Sequence, residues 1–271
     1  MEKKIDNLEL YCVTNKRLKF LEKTSYKLGW VGLHKAPDNY LKCDSGKNIF
    51  FKEKFYSELT FQYWYWKNKL DLKNKNWIGF CQKRRFWARK NENKQNYNKQ
   101  ISEIILDIPP KEWENKESII CEPINVNKIK TIKMIKRGYR SLIKNPSPLF
   151  LKKKRSIKFH FDMHHGYGNL DKAIEVLNEN DRSDFRKFVN ENYSFNPHIM
   201  FITKGPIMNR WFSDLFEWLS KCEKIFGFKE LEGYDTTRLY AYLAERYLSF
   251  WFKKYTNYLQ WKWIFYETMD N

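Results

Sequence analysis

Nowhere in this chain do the roughly 18 consecutive apolar residues of a membrane-spanning helix occur. The opening MEKKIDNLELYCV also carries too short an apolar run for a secretory leader, so a cytoplasmic location is expected. Cysteine is sparse: Cys12, Cys43, Cys81, Cys121 and Cys222 are odd in number and form no C-x-x-C pair. That pattern argues against a disulfide framework and a thiolate zinc site, and it fits a reducing compartment. Acidic side chains are in deficit, 32 against 51 lysines and arginines, which leaves a formal net charge of +19. Such a field attracts phosphates, and charge alone does not say whether they belong to a nucleotide, a lipid headgroup or a nucleic acid.

Aromatic residues, by contrast, are plentiful. With 18% Phe, Trp and Tyr over 271 residues, the chain can offset its ordering entropy and bury one large core. Its mean hydropathy of -0.76 reflects abundant Lys and Asn rather than a shortage of core formers, so a folded chain is expected.

Leu8 to Val13 reads as a short apolar strand that ends in the polar stretch Thr14, Asn15, Lys16, Arg17. In a nucleotide-binding α/β sheet, ligands sit beyond such carboxyl ends, although an ordinary strand and turn has the same appearance. Ser57 is placed to cap a helix carrying Leu59, Tyr63 and Trp66 on one face, with Glu58 at its start. Glu58 suits either a sugar hydroxyl or the helix dipole. Trp77 to Cys81 reads as a second buried strand, and it runs into Lys83, Arg84 and Arg85, whose donors match phosphate oxygens. A polar loop is expected over 91–100, then a third strand over 103–108 closed by Pro109 and Pro110. The Lys-rich segment 124–158 reads as an amphipathic insertion, either solvated or touching anionic lipid.

Asp162 to Asp171 is chemically the densest segment and reads as a loop, holding His164 and His165 beside two carboxylates. Adjacent histidines do not share one face, so at most one is expected to act, and no complete metal site arises from this segment alone. A further strand is expected from Asn196 through Met200 to Ile202, and helices over 211–226 and 234–252. In the last of these Tyr242 and Arg246 share a face, and a structural ion-pair network is the plain reading of Arg238, Glu245 and Arg246.

In this order, the segments resemble the GT-A-fold glycosyltransferases of bacterial capsule, exopolysaccharide and lipopolysaccharide gene clusters. That family has long been catalogued as a domain of unknown function, with galactosyl and galactofuranosyl transferases among its members. The resemblance rests on Tyr11-Cys-Val-Thr14-Asn15-Lys16, Asp44-x-Gly46-x-Asn48-Ile and Glu58-Leu-Thr-x-x-Tyr63-Trp64-x-Trp66-Lys67-Asn68. It continues through Gly79-Phe-Cys81-Gln82-Lys83-Arg84-Arg85, Asn196-x-x-Ile-Met200-Phe201-Ile202 and Tyr234-x-x-x-Arg238-x-x-x-Tyr242-Leu-Ala244-Glu245-Arg246. Asn15 and Gln82 stand where the family has histidines. The match runs from about residue 10 to 255, excepting the basic insertion.

The resemblance implies an α/β fold: a Rossmann-type nucleotide-binding sheet flanked by helices, with a helical C-terminal part. Residues 1–123 would form the nucleotide-sugar half, 124–158 the insertion and 159–271 the acceptor half. Thr14, Asn15, Lys16, Asp44 and Asn48 would meet a nucleotide sugar, of UDP type. Because no Asp-x-Asp motif is present, Lys83, Arg84 and Arg85 would neutralise the leaving diphosphate in place of a divalent manganese or magnesium ion, and no metal ligand is assigned. His165 and Asp171 are the first candidates for the catalytic base, with Glu58 and Glu245 as alternatives. His164, Asn196, Met200, Arg238 and Arg246 would shape the side of an oligosaccharide or lipid-linked acceptor. The aromatic tail around Trp251, Trp261 and Trp263 would rest on the inner membrane. A nucleic-acid-binding protein and a catalytically inactive scaffold rank below this reading.

Overall fold

The computed structural model describes residues 7–90 and 100–266, so the polar loop expected over 91–100 falls, Gln100 apart, outside them. The strands are β1 (Leu8–Thr14), β2 (Lys27–Trp30), β3 (Leu41–Lys42), β4 (Trp77–Gln82), β5 (Arg85–Trp87) and β6 (Ser118–Cys121). They are followed by β7 (Ile124–Asn125), β8 (Ser194–Phe195), β9 (Phe201–Thr203), β10 (Tyr258–Trp261) and β11 (Trp263–Phe265).

The main sheet has the order β3-β2-β1-β4-β9-β6-β10. Its neighbours run parallel except at β9, which is antiparallel to both β4 and β6. The hairpin strands β5 and β11 hang from the end of β4. The sheet thus draws strands from both sides of the basic segment, and it matches the α/β class expected from the sequence.

Both faces of this sheet are covered, which explains why its strands are near-continuous apolar runs rather than alternating ones. Tyr11, Val13, Ile78 and Phe80 face one core cluster; Leu10, Cys12, Trp77 and Cys81 face the other. On the first face lie α1 (Glu53–Tyr56) and α2 (Leu59–Asn68), with α9 (Gly205–Phe226) and α11 (Leu239–Tyr255) further along the chain. The buried stripe of α9 runs Met208, Trp211, Leu215, Leu219, Cys222, the three-to-four spacing expected of a helix with one apolar face. Each such large side chain contributes about 1.5–3 kcal/mol when taken out of water. Gly29 lets α2 lie flush on the sheet, since a Cβ there would meet the Phe61 ring at 2.5 Å.

Between these elements come α3 (Ile101–Ile104), α4 (Thr131–Lys144), α5 (Ser147–Phe150), α6 (Ile157–His165), α7 (Asn169–Glu175), α8 (Glu179–Glu191) and α10 (Tyr234–Thr237). Three local expectations change. Segment 103–108 is no strand: α3 runs into it and Ile105 makes one isolated bridge to Ala88. The strand that does join the sheet is β6, four buried residues too short to carry a periodicity. Asp162 to His165 belongs to α6 rather than a loop, and Gly166, at φ 97, ends that helix. The aromatic tail is interior: Trp251 lies in the core of α11, Trp261 in β10, and the half-buried Trp263 indole donates to the Glu122 carbonyl. Burial within the fold, complete for Trp251 and nearly so for Trp261, leaves these rings little surface to offer a membrane.

Candidate active site

The carboxyl ends of β1, β2, β3, β4, β6 and β10 lie on one edge of the sheet, together with the amino end of the reversed β9. After β1 the chain builds outward through β2 and β3, then crosses back to place β4 on the other side of β1. Such a switch point opens a crevice for ligands. A pocket with about 40 Å³ of internal space sits there, walled by Thr14, Asn15, Glu53, Ser57, Glu58, Lys83 and Arg238.

Local chemistry builds each wall. Thr14 Oγ1 accepts from the Lys16 N–H at 3.0 Å and donates to the Lys16 carbonyl at 2.7 Å, which turns the chain sharply out of β1. Asn15 is then within reach of β4, and the Lys83 ammonium donates to Asn15 Oδ1 at 2.6 Å. Lys83 and Arg84 form the tight turn that pairs Gln82 with Arg85. Burial pulls the Lys83 ammonium down; Glu58 opposes this, and the charges of Arg84, Lys16 and Arg238 add to it. The exposed Lys16 and Arg84 thus add positive charge near Lys83. Burial pushes the Glu53 carboxyl up, with Arg238 opposing and Glu58 reinforcing.

Ser57 is the unexpected member. It does not cap α2: it has φ 49 and ψ -127, a region that favours glycine, and Glu58 takes the N-cap position without a side-chain hydrogen bond. Its residue is 4% exposed, and its Oγ has no hydrogen-bond partner among the described residues. A buried, unsatisfied hydroxyl on a strained backbone, facing a pocket, is a signature of a group held ready for a ligand. No local sequence signal marks it, because the strain is imposed by the junction of α1 and α2.

Beside this pocket, an open groove of about 600 Å³ is lined by Arg17, Trp30, Lys35, Pro37 and Asp38, past the ends of β1 and β2. Apart from Arg17, which closes the polar stretch after β1, no motif in the sequence singles these residues out. Asp44 is exposed just beyond β3, and Asn48 closes a turn, its Oδ1 accepting from the Phe50 N–H at 3.1 Å. Arg85 leaves the pocket for the other side of the hairpin, its guanidinium 5.6 Å from the Phe265 ring centre.

Four of the five histidines, His160, His164, His165 and His198, form a second cluster around Arg246, a buried guanidinium that ion-pairs with Glu245 and lies 4.1 Å from the Phe195 ring centre. His165 Nδ1–H donates to the Asp235 carbonyl at 2.8 Å, its ring stacks on Tyr242 at 3.7 Å, and its Nε2 faces Arg246 at 3.5 Å. Burial, then Arg246, pulls His165 down to about 2. His164 Nδ1 accepts from Arg137 at 3.0 Å; burial and the nearby cations hold it at about 4. His198 is drawn to about 3, by burial first and then by Arg85 and Arg246. His198 and Ile199 both have positive φ, 74 and 52, and are tied by hydrogen bonds from the Gln82 and Gln62 amides to their carbonyls. Glu245 accepts from the His198 N–H.

The remaining candidates lie elsewhere. Asp171 sits on the surface of α7, paired with Lys158 at 3.0 Å and Arg186 at 3.9 Å. Asn196 and Met200 are fully buried, the Asn196 amide donating to the Cys121 carbonyl at 2.5 Å. Among the described residues there is no group of three or more His, Cys, Asp or Glu side chains placed to hold a metal ion, and no helix long and apolar enough to cross a membrane.

A mostly parallel sheet reversed at one inner strand and flanked by helices, with a crevice at its switch point, defines a mixed α/β fold. The chain belongs to the family described as Domain of unknown function (DUF4422), whose model matches residues 9–257. Among solved structures it is similar to WbbM, a bifunctional glycosyltransferase in its apo form, with a TM-score of 0.70 and 17% identity. The likeness covers 97% of this chain and 46% of that one, so this chain spans about half the length of its structural relative. At that identity the likeness establishes the fold. A comparison with curated proteins finds no significant match.

Proposed function

We propose that this chain is a glycosyltransferase. It moves a hexose, of galactose or galactofuranose type, from a nucleoside diphosphate donor such as a UDP-sugar to a glycan or lipid-linked acceptor of a surface polysaccharide. The observation that carries this reading is the presence of two cations, Lys83 and Arg238, in the wall of the switch-point pocket of a glycosyltransferase-like fold. The nucleotide lies in the groove beside Trp30 and Asp38, and its diphosphate reaches the Lys83 end.

In the transfer, an acceptor hydroxyl attacks the anomeric carbon, the bond from that carbon to the phosphate oxygen breaks, and negative charge grows on the leaving diphosphate. Fixed cations in a half-buried site stabilise that charge as it develops, without reorganisation. The hydroxyl proton goes to a carboxylate. Glu58 lines the pocket, whereas Glu245 is engaged by His198 and Arg246, Asp171 by Lys158, and the His165 lone pair faces a guanidinium. Glu58 therefore takes the role of base. A divalent ion fits poorly here, because the positive charges of Lys83 and Arg238 stand in the same pocket as its two carboxylates, Glu53 and Glu58.

A panel of nucleotide sugars, read by donor hydrolysis and by thermal stabilisation with and without manganese and EDTA, tests this. Stabilisation by one donor that survives chelation supports the cationic clamp. Strict metal dependence overturns the clamp, and absence of any donor binding overturns the enzyme.

A further inference from the structure

From Ile124 to Lys158 the chain contains no aspartate or glutamate. Within that span α4 carries two apolar stripes. The first, Met134, Gly138 and Leu142, is buried; Met134 and Leu142 cluster with Phe159 and Met163 of α6, and a Cβ on Gly138 would meet Met163 at 2.9 Å. The second stripe is Ile132, Ile135, Tyr139 and Ile143, at the same three-to-four spacing but facing outward, with Ile132 72% and Ile143 79% exposed. At about 100° per residue, the two stripes lie roughly a quarter-turn apart, and Lys133, Lys136, Arg140 and Lys144 follow the outer flank of the second. At the end of α5, Phe150 is 80% exposed and Lys152, Lys153 and Lys154 follow.

This segment is a built unit. The buried Arg155 guanidinium donates to the carbonyls of Pro148, Asn127, Ile129 and Leu149, which pins the two ends of the segment together. Its outer face is therefore a fixed surface. A merely solvated helix would carry polar side chains on that face. A nucleic-acid surface would pair its cations with stacking rings rather than with branched aliphatic side chains. Aliphatic and aromatic side chains that protrude beside a row of cations, with no acid among them, are the composition of a helix lying in a membrane interface.

We propose that the outer face of residues 131–154 docks on an anionic phospholipid surface, with Ile132, Ile143 and Phe150 entering the headgroup boundary and the lysines facing lipid phosphates. Because α4 rests on α6, and its Arg137 bonds both His164 and Asp235, docking would bring the lipid surface alongside the histidine cluster. The docking face stands apart from the transfer reaction and does not depend on it.

Vesicle flotation of the full chain, with no donor present, tests it. Phosphatidylcholine vesicles with and without phosphatidylglycerol are compared at low and high salt, for the wild type and two variants. One variant is Ile143→Ser with Phe150→Ser, which leaves the charge unchanged; the other is Lys133→Gln with Lys136→Gln and Arg140→Gln. All five side chains are exposed, so melting temperatures should match the wild type. The expected result is salt-sensitive binding to the anionic vesicles, weakened roughly tenfold or more in each variant. Failure to bind anionic vesicles at low salt overturns the proposal. So does unchanged binding of the Ile143/Phe150 variant, or tighter binding to a single-stranded oligonucleotide than to vesicles.

Discussion

Glu245 accepts a hydrogen bond from the His198 backbone N–H at 2.6 Å while its second oxygen ion-pairs with its own chain neighbour, Arg246. One carboxylate thus ties down the first of two consecutive left-handed residues, His198 and Ile199, and neutralises the cation at the centre of the histidine cluster. Each left-handed residue costs about 1–3 kcal/mol in isolation, so the loop before β9 depends on such ties.

Glu245→Gln keeps an acceptor for His198 but leaves Arg246 buried without its counter-charge. A loss of about 3–5 kcal/mol is expected, a fall in Tm of roughly 6–20 °C. Adding Arg246→Met should restore much of it, since an apolar replacement removes the stranded charge. Melting of the single variant within a few degrees of wild type would show that another group balances Arg246.

Lys83→Met removes the cation held against Asn15 at the pocket wall. A charge-assisted contact to phosphate is worth about 1.5–3 kcal/mol, so donor affinity should fall about 10- to 100-fold with little change in Tm. Calorimetric titration with the nucleoside diphosphate reads this directly; equal affinity in both proteins would remove Lys83 from the site.

At Ser57 the backbone and the hydroxyl separate cleanly. Ser57→Gly relieves the strained φ and should raise stability by about 1 kcal/mol, or 2–4 °C, while Ser57→Ala retains the strain and loses only an unsatisfied group. Both should weaken donor binding. If Ser57→Gly melts below wild type, the strain is not where the dihedral angles place it.

The histidines set an acid limit. His165 and His198 lie at about 2 and about 3 in the folded chain, against about 6.5 when unfolded. Above 6.5 neither state binds the proton and the groups contribute no pH dependence. As pH falls below it, the unfolded chain takes up protons that the folded chain refuses, so stability is lost, by about 2 kcal/mol per buried histidine near pH 5. Tm measured from about pH 7.5 to 5 should decline, and His198→Gln should flatten the slope by close to one proton. An unchanged slope in that variant would mean His198 is charged in the fold.

Patterns carried within a few residues are legible in the amino-acid order itself. The apolar runs of β1 and β4, the stripe of α9 and the turn at Thr14 follow from local burial and hydrogen bonding, so Asn15 and Lys83 fall beyond strand ends on sequence grounds alone. Charge does the same for α4, whose lysines outnumber any local acid. Relationships between distant segments are not written in this way. The brevity of β6 hides an inner strand of the sheet, and α3 takes the place of the third strand expected by pattern. Only packing decides that Asp171 faces Lys158 on the surface, that Glu58 and Arg238 face Lys83, and that Ser57 is strained. The physical reason is that a side chain's neighbours across a fold are set by how helices seat on the sheet, and local periodicity specifies the face that is buried but not the partner that buries it.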